Sequence, residues 1–503
     1  MRYALGRLRA LTRKRRSPCV LIIGAGFGGL GAAVALRRAG LDDLMIAEAG
    51  DGVGGTWRSN TYPGAACDIQ SHLYSFSFAP NKSWTRTYAR QPEILAYLDA
   101  VADDFDLRRH LMLRARVREI RWNEREQNWV CRLERDGQTT MLLADAVVSA
   151  AGLFAEPSLP NIAGLADFGG PLMHTARWDH AVELEGKRVA VIGTGASGVQ
   201  VVPELANVAA RLTVFQRTPP WMVPKDDRPY SAAELAQFRR NPLATRLLRW
   251  RIWKVQHDNT ATFADDPIVL ARNDIATSFL ERTVPDEALR RALTPDYPFR
   301  CKRVLLGEDY YRTLQHDHVE LVTDPIDHVA AGALVTTTGR RHDADVIVLA
   351  TGFDTSRYLA GIDVIGVGGQ RLHERWSTDP TAYLGAAVSG FPNFFMLYGP
   401  NTNQGGNSIV YVLEAGARLV ASAVARIARR GGYLDVRPEV ERRYNDTISH
   451  DLQRTIWSQC DSYFRSPSGR IVTQWPYTEL EYARRTWRLR PREWVHGAAH
   501  TDR

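Results

Sequence analysis

Two glycine-rich turns with the spacing G-x-G-x-x-G could each hold one dinucleotide. Their glycines are Gly24, Gly26 and Gly29 in the first turn, and Gly193, Gly195 and Gly198 in the second. The first glycine of such a turn permits a tight bend, the second lets the backbone approach a pyrophosphate, and the third lets a helix close onto a strand. The phosphates then meet backbone N–H groups at the positive end of that helix. A chain that holds two dinucleotides can pass electrons between them.

The residues that follow each turn differ in charge. A β-rich run (20–23) precedes the first turn, and the next strand ends in Glu48, 24 residues after Gly24. Counting the same 24 residues from Gly193 reaches Arg217. A carboxylate accepts hydrogen bonds from ribose hydroxyls but repels a 2′-phosphate, which a guanidinium pairs with. The first site is therefore predicted to bind FAD and the second NADPH rather than NADH, unless Arg217 is only a surface arginine.

Further side chains at the two turns could contact the coenzymes. Thr194, Ser197 and Gln200 stand at the start of the second helix, where hydroxyls and amides reach phosphates, although helix capping alone would also explain them. Thr218 is expected to join the 2′-phosphate site beside Arg217. The remaining candidates at the first site are Phe27, Gly55, Thr56 and Trp57.

Length and composition are typical of a globular enzyme. A chain of 503 residues should form two to four domains, and it is 45% hydrophobic and 24% charged. The net charge of +8 is concentrated in residues 1–17, which we interpret as a flexible basic tail. The uncharged run 17–36 contains a glycine turn, so it is predicted to open a βαβ unit. We expect no integral membrane segment and no nucleic-acid partner.

The five cysteines are scattered, at positions 19, 67, 131, 301 and 460, with no C-x-x-C pair. This pattern favours a reducing compartment, taken here as the cytoplasm, and argues against a disulfide framework and a structural zinc. No metal site is expected.

Two similar buried-strand runs, 145–152 and 345–352, are predicted to carry the chain between nucleotide domains. We therefore expect an α/β fold with two Rossmann-like dinucleotide-binding domains and a helical insertion. The predicted segments are 18–152 and 386–503 for a discontinuous FAD-binding domain, 153–224 and 300–385 for the NADPH-binding domain, and 225–299 for the insertion.

Two long patterns then identify a family. The first, F-x-G-x-x-x-H-x-x-x-W-[P/D], is met by Phe168, Gly170, His174, Trp178 and Asp179. The second is met by Gly54, Gly55, Trp57, Tyr62, Pro63, Gly64 and Asp68. From about residue 20 to about residue 475 the chain resembles the Baeyer–Villiger monooxygenases, a branch of the class B flavoprotein monooxygenases.

The resemblance implies an activity. NADPH would reduce FAD, and reduced FAD with O2 would form a flavin C4a-peroxide. That species would insert one oxygen atom next to a ketone carbonyl to give an ester or lactone, with sulfide oxidation as a possible side activity.

The resemblance also assigns roles to individual residues. Arg303 maps to the family's essential arginine and Lys302 to a 2′-phosphate contact, while Arg300 stands where the family usually has glycine. Asp68 would orient Arg303, with capping of a turn as the alternative. Trp57 would pack beside the flavin or simply in the core. His174 would tie down the interdomain linker rather than act as a base.

Other functions stay open from the sequence. An N- or S-oxygenating flavin monooxygenase shares both turns, and so does an NADPH-dependent FAD reductase or oxidase that inserts no oxygen. The identity of the ketone and the oligomeric state are not indicated.

Overall fold

The computed structural model describes residues 17–260, 263, 266–355 and 357–498. The predicted basic tail, apart from its last residue, lies outside the described residues. The strands are β1 (Val20–Ile23), β2 (Leu44–Ala47), β3 (Leu111–Met112), β4 (Ala115–Asn123), β5 (Asn128–Arg135), β6 (Gln138–Ala144), β7 (Ala146–Ser149), β8 (Leu172–His174), β9 (Arg188–Ile192), β10 (Arg211–Phe215), β11 (Met222–Val223), β12 (Leu305–Leu306), β13 (Val319–Val322), β14 (Ile326–Ala330), β15 (Ala333–Thr336), β16 (Arg341–Asp343), β17 (Val346–Leu349), β18 (Asp363–Ile365), β19 (Phe394–Met396), β20 (Tyr433–Val436) and β21 (Trp494–Gly497).

The helices alternate with these strands in the two nucleotide units and follow one another in the insertion. They are α1 (Phe27–Arg38), α2 (Thr56–Ser59), α3 (Gln91–Asp104), α4 (Ala196–Ala206), α5 (Ala232–Arg240), α6 (Pro242–Asp258), α7 (Pro267–Thr283), α8 (Glu287–Leu293), α9 (Asp309–Thr313), α10 (Leu372–Trp376), α11 (Ile409–Arg430), α12 (Pro438–Leu452) and α13 (Glu479–Thr486). No helix in the described ranges is both long enough and apolar enough to cross a membrane.

The first unit is built on a five-stranded parallel sheet in the order β19-β7-β1-β2-β3. All four residues of β1 are buried, as a parallel strand covered on both faces requires. In register, Val20 lies beside Leu44 on one side and Ala146 on the other. Helices α1 and α11 pack together in the same hydrophobic core.

The second unit repeats this plan in the order β13-β10-β9-β17-β8, again with all strands parallel. The predicted crossing strands β7 and β17 each lie beside the strand that leads into a glycine turn, β1 and β9 respectively. The prediction of two Rossmann-like units in an α/β fold is confirmed.

The predicted insertion contains α5 to α8. All four of these helices begin at side chains that accept hydrogen bonds from the first turn: Ser231 accepts from Glu234 N, Asn241 from Leu243 N and Ala244 N, Asp266 from Ile268 N and Asp286 from Leu289 N. Such caps satisfy N–H groups that the helix itself leaves without partners. The insertion is therefore helical, as its 3.6-residue periodicity indicates.

The chain returns to the first unit before residue 386, where the second segment of the FAD-binding domain is predicted to begin. Strand β18 pairs in parallel with β4, which forms a four-stranded sheet in the order β18-β4-β5-β6. Buried residues from 358 to 376 share a core with β4 and β5. A three-residue strand carries too short a hydrophobic pattern to be recognised from sequence.

One expectation about the cysteines is wrong. Cys301 and Cys460 form a disulfide, with Cα atoms 6.0 Å apart and a sequence separation of 159 positions. The folded chain brings together two cysteines that no spacing rule would pair. The structure thus links the segment ahead of Arg303 covalently to the C-terminal part of the first unit.

Candidate active site

The first glycine turn forms a cradle that only glycines can build. Gly24 has φ of +99°, and a Cβ atom there would lie 2.6 Å from the carbonyl oxygen of Ala150. A Cβ on Gly29 would lie 1.8 Å from the oxygen of Gly24. Gly26 caps α1, which begins at Phe27 and points its N-terminal N–H groups at the turn. The cradle fits a pyrophosphate.

Glu48 follows β2 at the carboxyl edge of the first sheet. Its Oε2 accepts a hydrogen bond from Ala25 N at 2.7 Å, and its Oε1 accepts one from Gly50 N at 2.7 Å. These bonds hold the carboxylate beside the turn and on the wall of the cleft. This is the position from which an acid contacts a ribose.

A second glycine pair packs directly on the first turn. Gly54 N donates to Ala25 O at 3.0 Å, and a Cβ on Gly55 would lie 3.0 Å from the Cα of Gly26. Thr56 and Trp57 then begin α2 and line the same cleft. The indole Nε1 of Trp57 donates to the hydroxyl of Tyr74 at 3.0 Å.

The second cradle has the same geometry as the first. Gly193 has φ of +106°, and a Cβ there would lie 2.6 Å from the oxygen of Ala350. A Cβ on Gly198 would lie 2.3 Å from Gly193 O, whereas Gly195 has open space around it. Thr194 Oγ1 donates to Thr218 O at 3.2 Å. The cradle therefore fits a second dinucleotide.

Two cations meet beside this second cradle. Arg217 is exposed two residues after the end of β10, close enough for its charge to act on Lys302, and both residues line the cleft. Burial lowers the pKa of Lys302, and the charge of Arg217 lowers it further. Lys302 Nζ also lies 4.5 Å from the centre of the Tyr297 ring. A pair of close cations suits the dianionic 2′-phosphate of NADPH.

Gln200 and Ser197 connect the two units through Tyr62. Gln200 Oε1 accepts from the Tyr62 hydroxyl at 2.8 Å, and its Nε2 donates to Ala66 O at 2.9 Å. Ser197 lies beside the Tyr62 hydroxyl and lowers a phenol pKa that burial raises. The amide of Gln200 is thus engaged in joining α4 to the first unit, so its predicted contact with a phosphate stays a prediction.

Arg303 and Asp68 form an ion pair in which Arg303 Nη2 donates to Asp68 Oδ2. Burial alone would raise the pKa of Asp68, but the charge and hydrogen bond of Arg303, with Lys225 nearby, hold it below its ordinary value. Asp68 in turn raises the pKa of Arg303. Both side chains face the cleft, where 39% of Arg303 and 28% of Asp68 remain accessible.

Sequence reasoning missed the two tyrosines around Arg303. Burial raises the pKa of the Tyr463 phenol, and the charge of Arg303 nearby lowers it. Tyr398 lies near enough for the charge of Arg303 to lower a phenol pKa that burial raises, and its hydroxyl donates to Asn403 Oδ1 at 2.8 Å. Tyr398 follows the buried strand β19, and its place at a carboxyl edge was the signal that could have identified it.

The fingerprint around His174 lies at the edge of the second sheet. His174 ends β8, which pairs with β17, and its Nδ1 accepts a hydrogen bond from Ala176 N at 3.0 Å. Burial lowers the pKa of the imidazole. A Cβ on Gly170 would lie 2.3 Å from Asp345 O, so glycine at this position allows the backbones of residues 170 and 345 to approach closely. These contacts support the structural role expected for His174.

The two cradles and the ion pair open onto one cleft of about 2490 Å³. Its lining includes Glu48, Asp68, Arg217, Lys302 and Arg303. Two dinucleotide cradles on one cleft, with a fixed cation between them, define an oxidoreductase that holds two dinucleotide coenzymes.

Comparison with known proteins identifies the family. Residues 21–246 match the model of the pyridine nucleotide-disulphide oxidoreductase family. A Baeyer–Villiger monooxygenase of Streptomyces coelicolor is 42% identical over 475 residues, which cover 93% of this chain and 91% of that protein. A solved oxidized steroid monooxygenase bound to NADP has a TM-score of 0.83 and 32% identity, covering 93% and 97% of the two chains. The OTEMO complex with FAD and NADP has a TM-score of 0.83 and 29% identity, covering 94% and 98%.

The chain belongs to the Baeyer–Villiger monooxygenases. It is accordingly a flavoprotein monooxygenase, and the resemblance predicted from the two long patterns is confirmed. The reductase and the N-oxygenating alternatives receive no support from these relatives.

Proposed function

We propose that the protein uses NADPH and O2 to insert one oxygen atom between a ketone carbonyl and a neighbouring carbon, which gives an ester or lactone. The observation that carries this proposal is the Arg303–Asp68 pair, which lies on the cleft shared by both cradles. When bound, FAD reduced by NADPH supplies the electrons that activate O2. The protein's own residues then bind the coenzymes, orient the reacting groups and stabilise negative charge on the reacting oxygen.

Arg303 acts as a permanent positive charge. Because Asp68 raises its pKa, the guanidinium stays protonated and donates no proton to the reacting oxygen. A charge pair about 4 Å apart at an effective dielectric of about 20 contributes roughly 4 kcal/mol. That energy corresponds to nearly a thousandfold in rate. Asp68 holds the guanidinium in place through its hydrogen bond, so it acts as a positioning residue.

The two coenzymes divide between the cradles. FAD occupies the turn at Gly24, where Glu48 stands at the ribose position. NADPH occupies the turn at Gly193, where Arg217 and Lys302 receive the 2′-phosphate with help from Thr218. This allocation places both coenzymes on the cleft that Arg303 faces.

The substrate is a small-molecule ketone. The solved neighbours are named as a steroid monooxygenase and as cyclohexanone monooxygenases, which supports a ketone over an amine. A cytoplasmic location is also part of the proposal; the buried Cys67 and Cys131, which form no disulfide, favour it, whereas the Cys301–Cys460 disulfide counts against it.

A ketone panel tests the proposal. Purified holoenzyme with NADPH is given cyclic, aromatic and linear ketones and one thioether, while O2 uptake and product mass are measured. We expect ester or lactone in proportion to NADPH consumed. NADPH oxidation that yields only hydrogen peroxide with every ketone, or sulfoxide alone, would contradict the proposal.

A further inference from the structure

Arg300 occupies a backbone position that favours glycine. Its φ is +69°, in the left-handed region that L side chains rarely adopt. The residue is also buried, with only 7% of its surface accessible. A strained position that holds a long cation instead of glycine indicates a role for the side chain itself.

The guanidinium of Arg300 is held by backbone carbonyls. Nη1 donates to Asn259 O at 3.1 Å and Nη2 donates to Gly405 O at 3.2 Å. Within the described residues, Arg300 makes no ion pair with a carboxylate. Carbonyl dipoles orient a guanidinium but do not neutralise it, and a buried charge is costly until an opposite charge accompanies it.

A second cation lies close to the first. Burial lowers the pKa of Arg300 to about 10, and the neighbouring charge of Arg272 contributes to that shift. Arg272 is itself half-buried, and among the described residues it also forms no ion pair. Asp266 is the acid that partly offsets Arg300, but its Oδ1 already accepts from Ile268 N at 2.9 Å. Among the residues that the structure describes, the site thus holds more positive than negative charge.

An unused hydrogen-bond donor belongs to the residue beside Gly405. Gln404 precedes Gly405, whose carbonyl holds Arg300, and its Nε2 is buried with no hydrogen-bond partner among the described residues. Gln404, Arg300 and Arg272 all line the coenzyme cleft. Buried amide groups are normally paired, so this donor points to an acceptor that a ligand would supply.

We propose that Arg300, Arg272 and Gln404 form a subsite that binds a carboxylate group carried by the ketone substrate. The fork of a guanidinium and the N–H of an amide match the planar acceptor pair of a carboxylate. The inference rests on the proposed function and narrows its substrate class to oxo acids. The coenzyme phosphates have their own partners at the two glycine turns and at Arg217, whereas Arg300 contacts the end of α6 and the loop at Gly405.

Ligand binding without turnover gives the first test. Oxidised holoprotein with NADP⁺ is titrated calorimetrically with linear carboxylates from pentanoate to decanoate and with the matching primary amides. We expect at least one carboxylate to bind about tenfold to hundredfold more tightly than its amide. Arg300→Gly, which relieves the backbone strain, and Arg272→Gln should both abolish this difference. Arg125→Gly, at a side chain 89% exposed on the β4–β5 hairpin, is the matched control and should keep it.

Turnover gives the second test. The wild-type protein should oxygenate an oxo acid with a higher kcat/KM than the corresponding oxo amide, and Arg300→Lys should restore part of the preference that Arg300→Gly loses.

Esters from neutral ketones with no carboxylate preference at any chain length would overturn the inference and leave the proposed function standing. Carboxylate binding that depends on Arg300, with no ester from any ketone, would support the subsite and contradict the function. A change in NADPH affinity alone in Arg300→Gly would also overturn the inference.

Discussion

Arg303 donates a hydrogen bond to Asp68 across 235 residues of sequence. Asp68 belongs to the unit that carries the first glycine turn, and Arg303 follows the helical insertion. The bond therefore holds the guanidinium of Arg303 against the unit that carries the first glycine turn. The pKa of Asp68 is held below its ordinary value, so this carboxylate stays ionised, and the pair intact, throughout the neutral range.

Replacing Arg303 should separate coenzyme reduction from oxygen insertion. Arg303→Ala removes the fixed charge, so we expect ester formation to fall by nearly a thousandfold. Flavin reduction by NADPH should continue because both cradles are untouched. Stopped-flow reduction together with product analysis measures the two steps, with Arg125→Ala as the exposed control. Full ester yield from Arg303→Ala would remove Arg303 from the mechanism.

The fold was largely predictable from local signals, and the site only in part. Glycine turns, buried strands and a helical period are short-range patterns, so α1, α4 and the insertion could be predicted. Arg303 and Asp68 came from family patterns rather than from spacing. Tyr463 and the Cys301–Cys460 bond depend on chain segments that meet only in the folded state.

Single methyl groups should distinguish the two cradles. Gly24→Ala places Cβ 2.6 Å from Ala150 O, so the protein should purify with little flavin. Gly193→Ala makes the same collision with Ala350 O, so the protein should retain flavin while NADPH no longer reduces it efficiently. Flavin absorbance and anaerobic reduction rates measure these outcomes. Gly332→Ala is the control, because its φ is also positive but nothing lies within 4 Å. Loss of flavin from Gly193→Ala with retention in Gly24→Ala would reverse the assignment.

Arg217 should set the preference for NADPH over NADH. Arg217→Gln removes one of the two cations at the second cradle, and a charge-assisted hydrogen bond contributes roughly 1.5–3 kcal/mol. The KM for NADPH should therefore rise about tenfold to hundredfold, with little change for NADH. Steady-state kinetics with both coenzymes measures the effect. An equal rise for both coenzymes would show that Arg217 does not read the 2′-phosphate.

Asp435 should make stability depend on pH. Burial, with a smaller effect of Glu441, raises the pKa of this carboxyl on β20 to about 7, whereas an unfolded aspartate titrates at about 4. Between these values the folded state binds the proton more tightly, so stability falls as pH rises. The Tm of Asp435→Asn minus that of wild type should therefore be larger at pH 8 than at pH 5.

The control for that measurement is Asp136→Asn, at a side chain 56% exposed in the β5–β6 turn. Its Tm should keep a constant offset from wild type over the same range. If Asp435→Asn behaves in the same way, the carboxyl of Asp435 is ionised in the folded state at pH 5, against the raised pKa.

Some structural features had no sequence signal at all. Strand β18 joins β4 through only three residues, and Gln200 turns out to bridge α4 to Tyr62 and Ala66. Both are tertiary contacts between segments far apart in sequence. A residue type and a position near a helix start could not distinguish a bridge from a phosphate contact.

Oxygen insertion at the cleft is tested most directly with ¹⁸O2. Holoenzyme, NADPH and a ketone that it converts are incubated under ¹⁸O2, and the ester mass is compared with the NADPH consumed. The account predicts one ¹⁸O atom in each ester molecule and about one ester for each NADPH, the second oxygen atom leaving as water. Ester oxygen drawn from solvent, or NADPH consumed with hydrogen peroxide as the only oxygen product, would contradict it.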